Sequence, residues 1–385
     1  MKVFFISFLV FLLLISLSTD IYAQDIKDDF AYKEDDNYNE LSDSLGLNDF
    51  FENLPEDVKK SFESIGINSV SASQISEVSF SSVMNEVLGI GMTQSKIVFS
   101  SLGIIIAVLL LYSLVEGFLQ VVTADTMREV LSVVSTLCIA CLLIIPITDV
   151  IDAAGNAIKT SSQFMITFVP IMTTVLVSCS KAVSGAGYYS LMIFAAEGIA
   201  QLSSKVITPM LNVFLGVSVC STIVPQLKLE SITELFSKTI KWLLSFSFTI
   251  FSALLTFRTL IATSIDSVST RAVRFTMSSF IPVVGAALSE AYKTVQGSVN
   301  ILKNGMGVFV IFAVAFVFLP IVLRLLLWRF SVSLCKTVAQ VLGVAIPCRM
   351  LQSIGTVLSV LLAVVLCVMA LFIISTALII TAGGY

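Results

Sequence analysis

The chain has 385 residues, 57% of them hydrophobic and only 12% charged, with a formal net charge of −4. A soluble domain carries about 25% charged residues, so this composition excludes an ordinary soluble enzyme and points to a polytopic membrane protein. Histidine is absent, which removes the commonest metal ligand and the commonest general base at neutral pH.

The charges are divided along the chain. Residues 1–95 hold 5 Lys/Arg and 16 Asp/Glu, while residues 96–385 hold 17 and 10. An acidic N-terminal part of net −11 therefore precedes a basic membrane part of net +7.

The start, "MKVFFISFLVFLLLISLSTDIYAQ", has the pattern of a secretory signal over residues 1–23. Lys2 forms the n-region, residues 3–17 the apolar h-region, and Ala23 offers a cleavage site. Ile21 is a departure from the small residue expected three positions back, and an uncleaved anchor is the alternative. Residues 24–95 then face the extracytoplasmic side. Their first part, to about residue 45, is acidic enough to be solvated and disordered. "LNDFFENLPEDVKKSFESIGI" follows, with apolar residues at helical spacing and Asn48 as an N-cap candidate, so a short amphipathic helix is expected before the membrane.

Seven apolar runs approach or exceed the roughly 20 residues a helix needs to cross a bilayer: 97–122, 130–149, 187–204, 206–224, 242–262, 305–327 and 354–380. Lys205 separates two short runs that one kinked helix would equally hold. Residues 330–346 carry Lys336 and read as an interfacial or interior amphipathic helix. The expected fold is all-α, with about 7–8 transmembrane helices. It divides into a first membrane repeat over 96–204, a second over 205–327, and a C-terminal amphipathic helix with a final span over 328–385.

The repeat rests on a register of 112 residues. "FMITFVP" ends at Pro170 and "TMSSFIP" at Pro282; Met165 then falls on Met277, Lys181 on Lys293, Gly185 on Gly297 and Lys159 on Arg271. The uncharged stretches around the prolines, 160–180 and 275–289, are short. Proline removes a backbone hydrogen bond, and freed backbone groups in a membrane need protein or cavity water. Both stretches are therefore expected to be broken or re-entrant, with Pro170, Pro282 and Gly285 as the broken-helix positions. Three crossings would then separate the copies and place them in opposite orientations, as in inverted-repeat transporters. Kinked packing helices are the plainer reading of the same residues.

Glu116, Glu197, Arg258 and Arg324 lie inside apolar runs. A charge at mid-bilayer costs about 2.5–3.5 kcal/mol on insertion scales. The two arginines lie near helix ends and can snorkel. Glu116 and Glu197 are shorter, each is followed by glycine, and both are expected to face a polar interior. Asp266, Arg271 and Arg274 add charge just before the second proline segment, with the two arginines on one helix face. Cys138 and Cys141 form a C-x-x-C without partners and read as packing residues. No Walker, G-x-S-x-G or H-E-x-x-H pattern occurs, so no catalytic residue, cofactor or metal site is expected, and enzymatic activity is not.

"STRAVRFTMSSFIPVVGAALSEAYKTVQGSVNILKNGMGV", and within it the run Arg274 to Gly285, resembles the stage III sporulation protein AE family; the tail "ALIITAG" fits as well. The resemblance is best over 258–310 and the C-terminal spans and poor over 1–95. It implies a membrane subunit of a secretion-like channel between mother cell and forespore, located in the mother-cell-derived membrane around the forespore and needed for late forespore gene expression. It also implies partners: other stage III membrane and ring proteins, a secretion-type ATPase and a forespore-side protein, with lipids but no nucleic acid. It brings no catalytic residues. A stand-alone secondary transporter of a small solute is the alternative function.

Overall fold

A computed structural model describes residues 51–52, 54–69, 74–75, 78–122, 125–223, 230–280 and 285–381. The expected signal and residues 24–50 lie outside these. The described residues are helical almost throughout. α1 is Glu56–Ser64, α2 Phe80–Val122, α3 Asp125–Ser178, α4 Ala182–Leu202, α5 Thr208–Ile223, α6 Glu230–Phe280, α7 Gly285–Val341 and α8 Ala345–Thr381. A π-helical segment, Ser203–Ile207, joins α4 to α5.

Among the described residues six helices are long and apolar enough to cross a membrane, at 36 to 46 residues each, where seven or eight were expected. The difference lies at Lys205. The wider π turn lets the chain run on past this charged position as one span, Ala182–Thr222, where a charge boundary suggested two.

Further expectations are corrected. α3 runs unbroken through both Pro146 and Pro170. Pro170 lies on the exposed face while Phe168 and Val169 beside it are buried, so the missing bond falls on the outer side of the helix. The interfacial or interior helix expected over 330–346 is not a separate element: residues 330–341 are the end of α7, and α8 begins at Ala345. The expected repeat boundaries at 204/205 and 327/328 consequently fall inside continuous helical runs. Cys138 and Cys141 lie on the exposed face of α3 rather than in the packing.

α7 and α8 form the centre. Leu302, Phe309, Phe318 and Trp328 of α7 are fully buried, as are Ile354, Leu358, Val365 and Phe372 of α8, and the two helices pack along each other extensively. Between helices in lipid the hydrophobic drive is weak, and close packing and hydrogen bonds hold them together. Glycine permits such contact twice. A Cβ on Gly307 would collide with Ile380, and one on Gly155 would lie 2.9 Å from the Thr208 hydroxyl. Some Ser and Thr hydroxyls return their hydrogen bonds to the preceding turn, as Ser162 does to Ile158 and Thr376 to Phe372, and so enter the apolar interior without an orphaned donor.

The expected helix before the membrane is present as α1, and it docks on the bundle. Val58 and Phe62 are buried on one face, and Phe62 stacks on Phe309 at 4.6 Å and meets Phe316 edge-on at 5.5 Å. Ser61 and Ser64 donate to the two oxygens of Glu86 on α2 at 2.8 and 2.7 Å. The helix ends in a Schellman motif: Gly66 at φ 89° and Ile67 donate to the Glu63 and Phe62 carbonyls.

Candidate functional site

The break in the first half of the membrane part falls at residues 179–181, not at Pro170. Ser180 and Lys181 donate to the Val177 and Leu176 carbonyls, each at 2.9 Å. This is again the Schellman closure, but Ser180 rather than glycine occupies the left-handed position, at φ 59°. A side chain there costs about 1–2 kcal/mol. The chain turns sharply and α4 begins.

Every helix end at this break is satisfied by a side chain from another helix. α4 has no capping side chain of its own. Its first amides instead meet the carboxylate of Asp266 on α6: Val183 donates to Oδ1 at 3.1 Å and Ser184 to Oδ2 at 2.8 Å. A carboxylate is the favoured partner there, because unpaired N–H groups and the helix dipole are both positive at an N-terminus. At the end of α3, Gln296 Nε2 on α7 donates to the Cys179 carbonyl at 3.1 Å. At the end of α8, Lys303 Nζ donates to the Ile380 carbonyl at 2.8 Å, a cation on the negative end of a helix. Lys181 Nζ approaches Asn300 Oδ1 at 3.5 Å.

This junction is polar and closed to solvent. Asp266 is 4% exposed, Lys303 2%, and Lys181 and Gln296 9% each. It holds two ammonium groups against one carboxylate, a formal excess of one positive charge, and the lysines lie close enough to act on each other. In the turn outside the spans, burial is the main influence on Lys181 and lowers its pKa from the ordinary lysine value, with the Asp266 carboxylate pulling the other way.

Of the residues expected to carry function, Asp266 stands inside the junction. Arg271 follows on α6 and is exposed. Arg274 is on α6 too, but its side chain is outside the described residues, as is all of Pro282. Gly285 begins α7. Glu116 is half-buried on α2, and Glu197 is exposed on α4, where Gln201 Nε2 donates to it at 2.7 Å. Glu197 lies thirteen positions along α4 from Ser184, about 20 Å of helix, so neither it nor Glu116 on its separate helix joins the junction. Gln296, Asn300 and Lys303 were not anticipated. Their spacing of four and three places them on one face of α7, which is a legible signal at the start of an apolar run.

The junction also bears on the expected orientation of the two proline segments. Cys179 and Lys181 beside the first break meet Gln296 and Asn300, shortly after the second. Two spans, Ala182–Thr222 and Ser231–Val273, separate the breaks. Two candidate spans rather than three therefore lie between these contacts, and Lys181 meets Asn300 instead of standing at the opposite end of the bundle.

The chain matches the stage III sporulation protein AE family over residues 65–383. It is 25% identical to the stage III sporulation protein AE of Bacillus subtilis (strain 168) across 234 residues, which is 61% of this chain and 59% of that protein. No solved structure matches it. With five-sixths of its length covered by the family pattern, the chain belongs to the stage III sporulation protein AE family.

Proposed function

We propose that the chain is the membrane core of a channel-like complex joining mother cell and forespore, and that it supports late forespore gene expression. The family membership and six long apolar helices support a multi-pass sporulation subunit. The observation that carries the further step is the cross-capped junction, where four helices, α3, α4, α6 and α7, together with the end of α8, are locked by buried polar side chains. A junction of this kind fixes relative helix positions and gives a bundle one rigid end on which other subunits can assemble. The proposed partners are other stage III membrane and ring proteins, a secretion-type ATPase and a forespore-side protein, and the proposed location is the mother-cell-derived membrane around the forespore.

A second reading, a self-sufficient transporter of a small solute, draws on the same junction, because helix ends facing buried charges form coupling-ion and substrate sites in transporters. Expression in a sporulating host lacking its own family member decides between them. Restored spore yield, late forespore reporter activity and co-purification with the ring proteins are the expected results. Restoration without any co-purifying sporulation protein would overturn the complex in favour of the transporter.

A further inference from the structure

A small cavity lies beside the junction, between α4, α6 and α8. It measures about 10 Å³ and is lined by Ser184, Gly187, Tyr188, Arg258, Thr259 and Ile379, among others. A volume of this size admits one oxygen-sized atom. Two of its lining residues carry buried hydroxyls. Ser184 and Tyr188, one helical turn apart on α4, are each only 4% exposed; the Ser184 hydroxyl has no hydrogen-bond partner, and that of Tyr188 meets the Ser375 and Thr376 hydroxyls. Burying an unpaired hydroxyl costs about 1–3 kcal/mol.

Arg258 supplies the third observation. It stands on α6 among exposed apolar residues, with Leu254, Phe257, Leu260 and Ile261 all turned outward. Among the described residues it makes no ion pair and no hydrogen bond. A guanidinium on such a surface is costly unless an anion meets it. A water in the cavity would satisfy the Ser184 hydroxyl and leave this charge alone. An anionic oxygen satisfies both.

The surrounding charge favours an anion as well. Asp266, eight residues along α6, carries the nearby negative charge, and both its oxygens are held by the Val183 and Ser184 amides. Lys181 and Lys303 outnumber it.

The geometry points to a phosphate-binding site at the α4–α6–α8 crevice, in which one phosphate oxygen enters the cavity and accepts hydrogen bonds from Ser184 and Tyr188, while Arg258 pairs with the oxygens outside. The planar fork of arginine suits this ligand, and a membrane-lipid headgroup and free phosphate share the chemistry. The site stands independently of the sporulation role.

The full-length chain, purified in a zwitterionic detergent, tests it through its thermal midpoint. Dioleoylphosphatidylglycerol is added in one arm and inorganic phosphate in the other. Occupation well above the Kd should raise Tm by roughly 2 °C or more. A rise with the lipid alone identifies a headgroup site. A rise with both identifies a site for the phosphate group itself. The rise should be lost in Arg258→Gln, reduced in Tyr188→Phe and Ser184→Ala, partly kept in Arg258→Lys, and unchanged in Arg271→Gln. No rise in either arm would overturn the site and leave a cavity for water only. So would an equal rise in Arg258→Gln and in the unaltered protein.

Discussion

The carboxylate of Asp266 on α6 receives the backbone N–H of Ser184 on α4 at 2.8 Å, across 82 residues of sequence. One side chain thereby closes the N-terminus of a helix that lacks a cap of its own and fixes where two membrane helices meet. Loss of a capping side chain costs about 0.5–2 kcal/mol, and this one is buried and charged. Asp266→Ala should therefore lower stability by about 2 kcal/mol. Asp266→Asn should fall between, since it keeps one acceptor oxygen but turns an amide donor toward the other N–H. Unfolding in detergent measures both. Wild-type stability of Asp266→Ala would show that the contact carries no weight.

Lys303→Met separates structure from function at the junction. The substitution removes a bond from a charged donor, worth about 1.5–3 kcal/mol. It also removes the desolvation of a buried ammonium and its repulsion from Lys181, and such replacements are often neutral. The melting temperature should stay near that of the parent, within about 1 kcal/mol of stability, while spore yield in a complemented host falls. An unchanged spore yield would make Lys303 a purely structural cap.

Ser180 holds a left-handed backbone conformation that glycine adopts without cost. Ser180→Gly should leave stability unchanged or raise it slightly, and Ser180→Val should lower it by about 1 kcal/mol or more. The ranking Gly ≥ Ser > Val, read by thermal unfolding, is the expected result; Val equal to Gly would contradict the turn geometry.

Labelling from one side of the membrane checks the placement of the two breaks. Val183 and Arg271 are exposed near the junction, on either side of the Asp266 contact. In a background where all seven cysteines are replaced, Val183→Cys and Arg271→Cys should react with an impermeant thiol reagent from the same side. Reaction from opposite sides would restore the inverted arrangement.

Phe62 is the anchor of α1, fully buried between Phe309 and Phe316. Deleting a buried phenyl ring costs about 3–5 kcal/mol in a packed core. Phe62→Ala should release α1 from α7, and limited proteolysis should then cut between α1 and α2, at residues 65–79, faster than in the parent. Because α1 packs chiefly on α7 and α2 among the spanning helices, the rest of the bundle should remain folded by circular dichroism.

The sequence by itself determined the class of fold. Apolar runs of spanning length and the scarcity of charge require helices in a bilayer, because no other local structure satisfies its own backbone there. The amphipathic pattern at 47–67 likewise announced α1, and the family resemblance carried by Arg274 to Gly285 was legible without coordinates. Prolines and charges, however, were poor guides to where helices end. Pro170 is tolerated because its missing bond faces outward, and Lys205 is carried past by a π turn; both outcomes depend on which way a side faces, which periodicity states weakly in all-apolar helices. Only the tertiary structure decided the junction. Asp266, Gln296 and Lys303 act on helix ends 77 to 117 residues away, and a helix terminus needs a partner without specifying which distant residue will supply it. That choice is made by packing, when the bundle brings one particular carboxylate, amide or ammonium within reach of an end that would otherwise be buried unpaired.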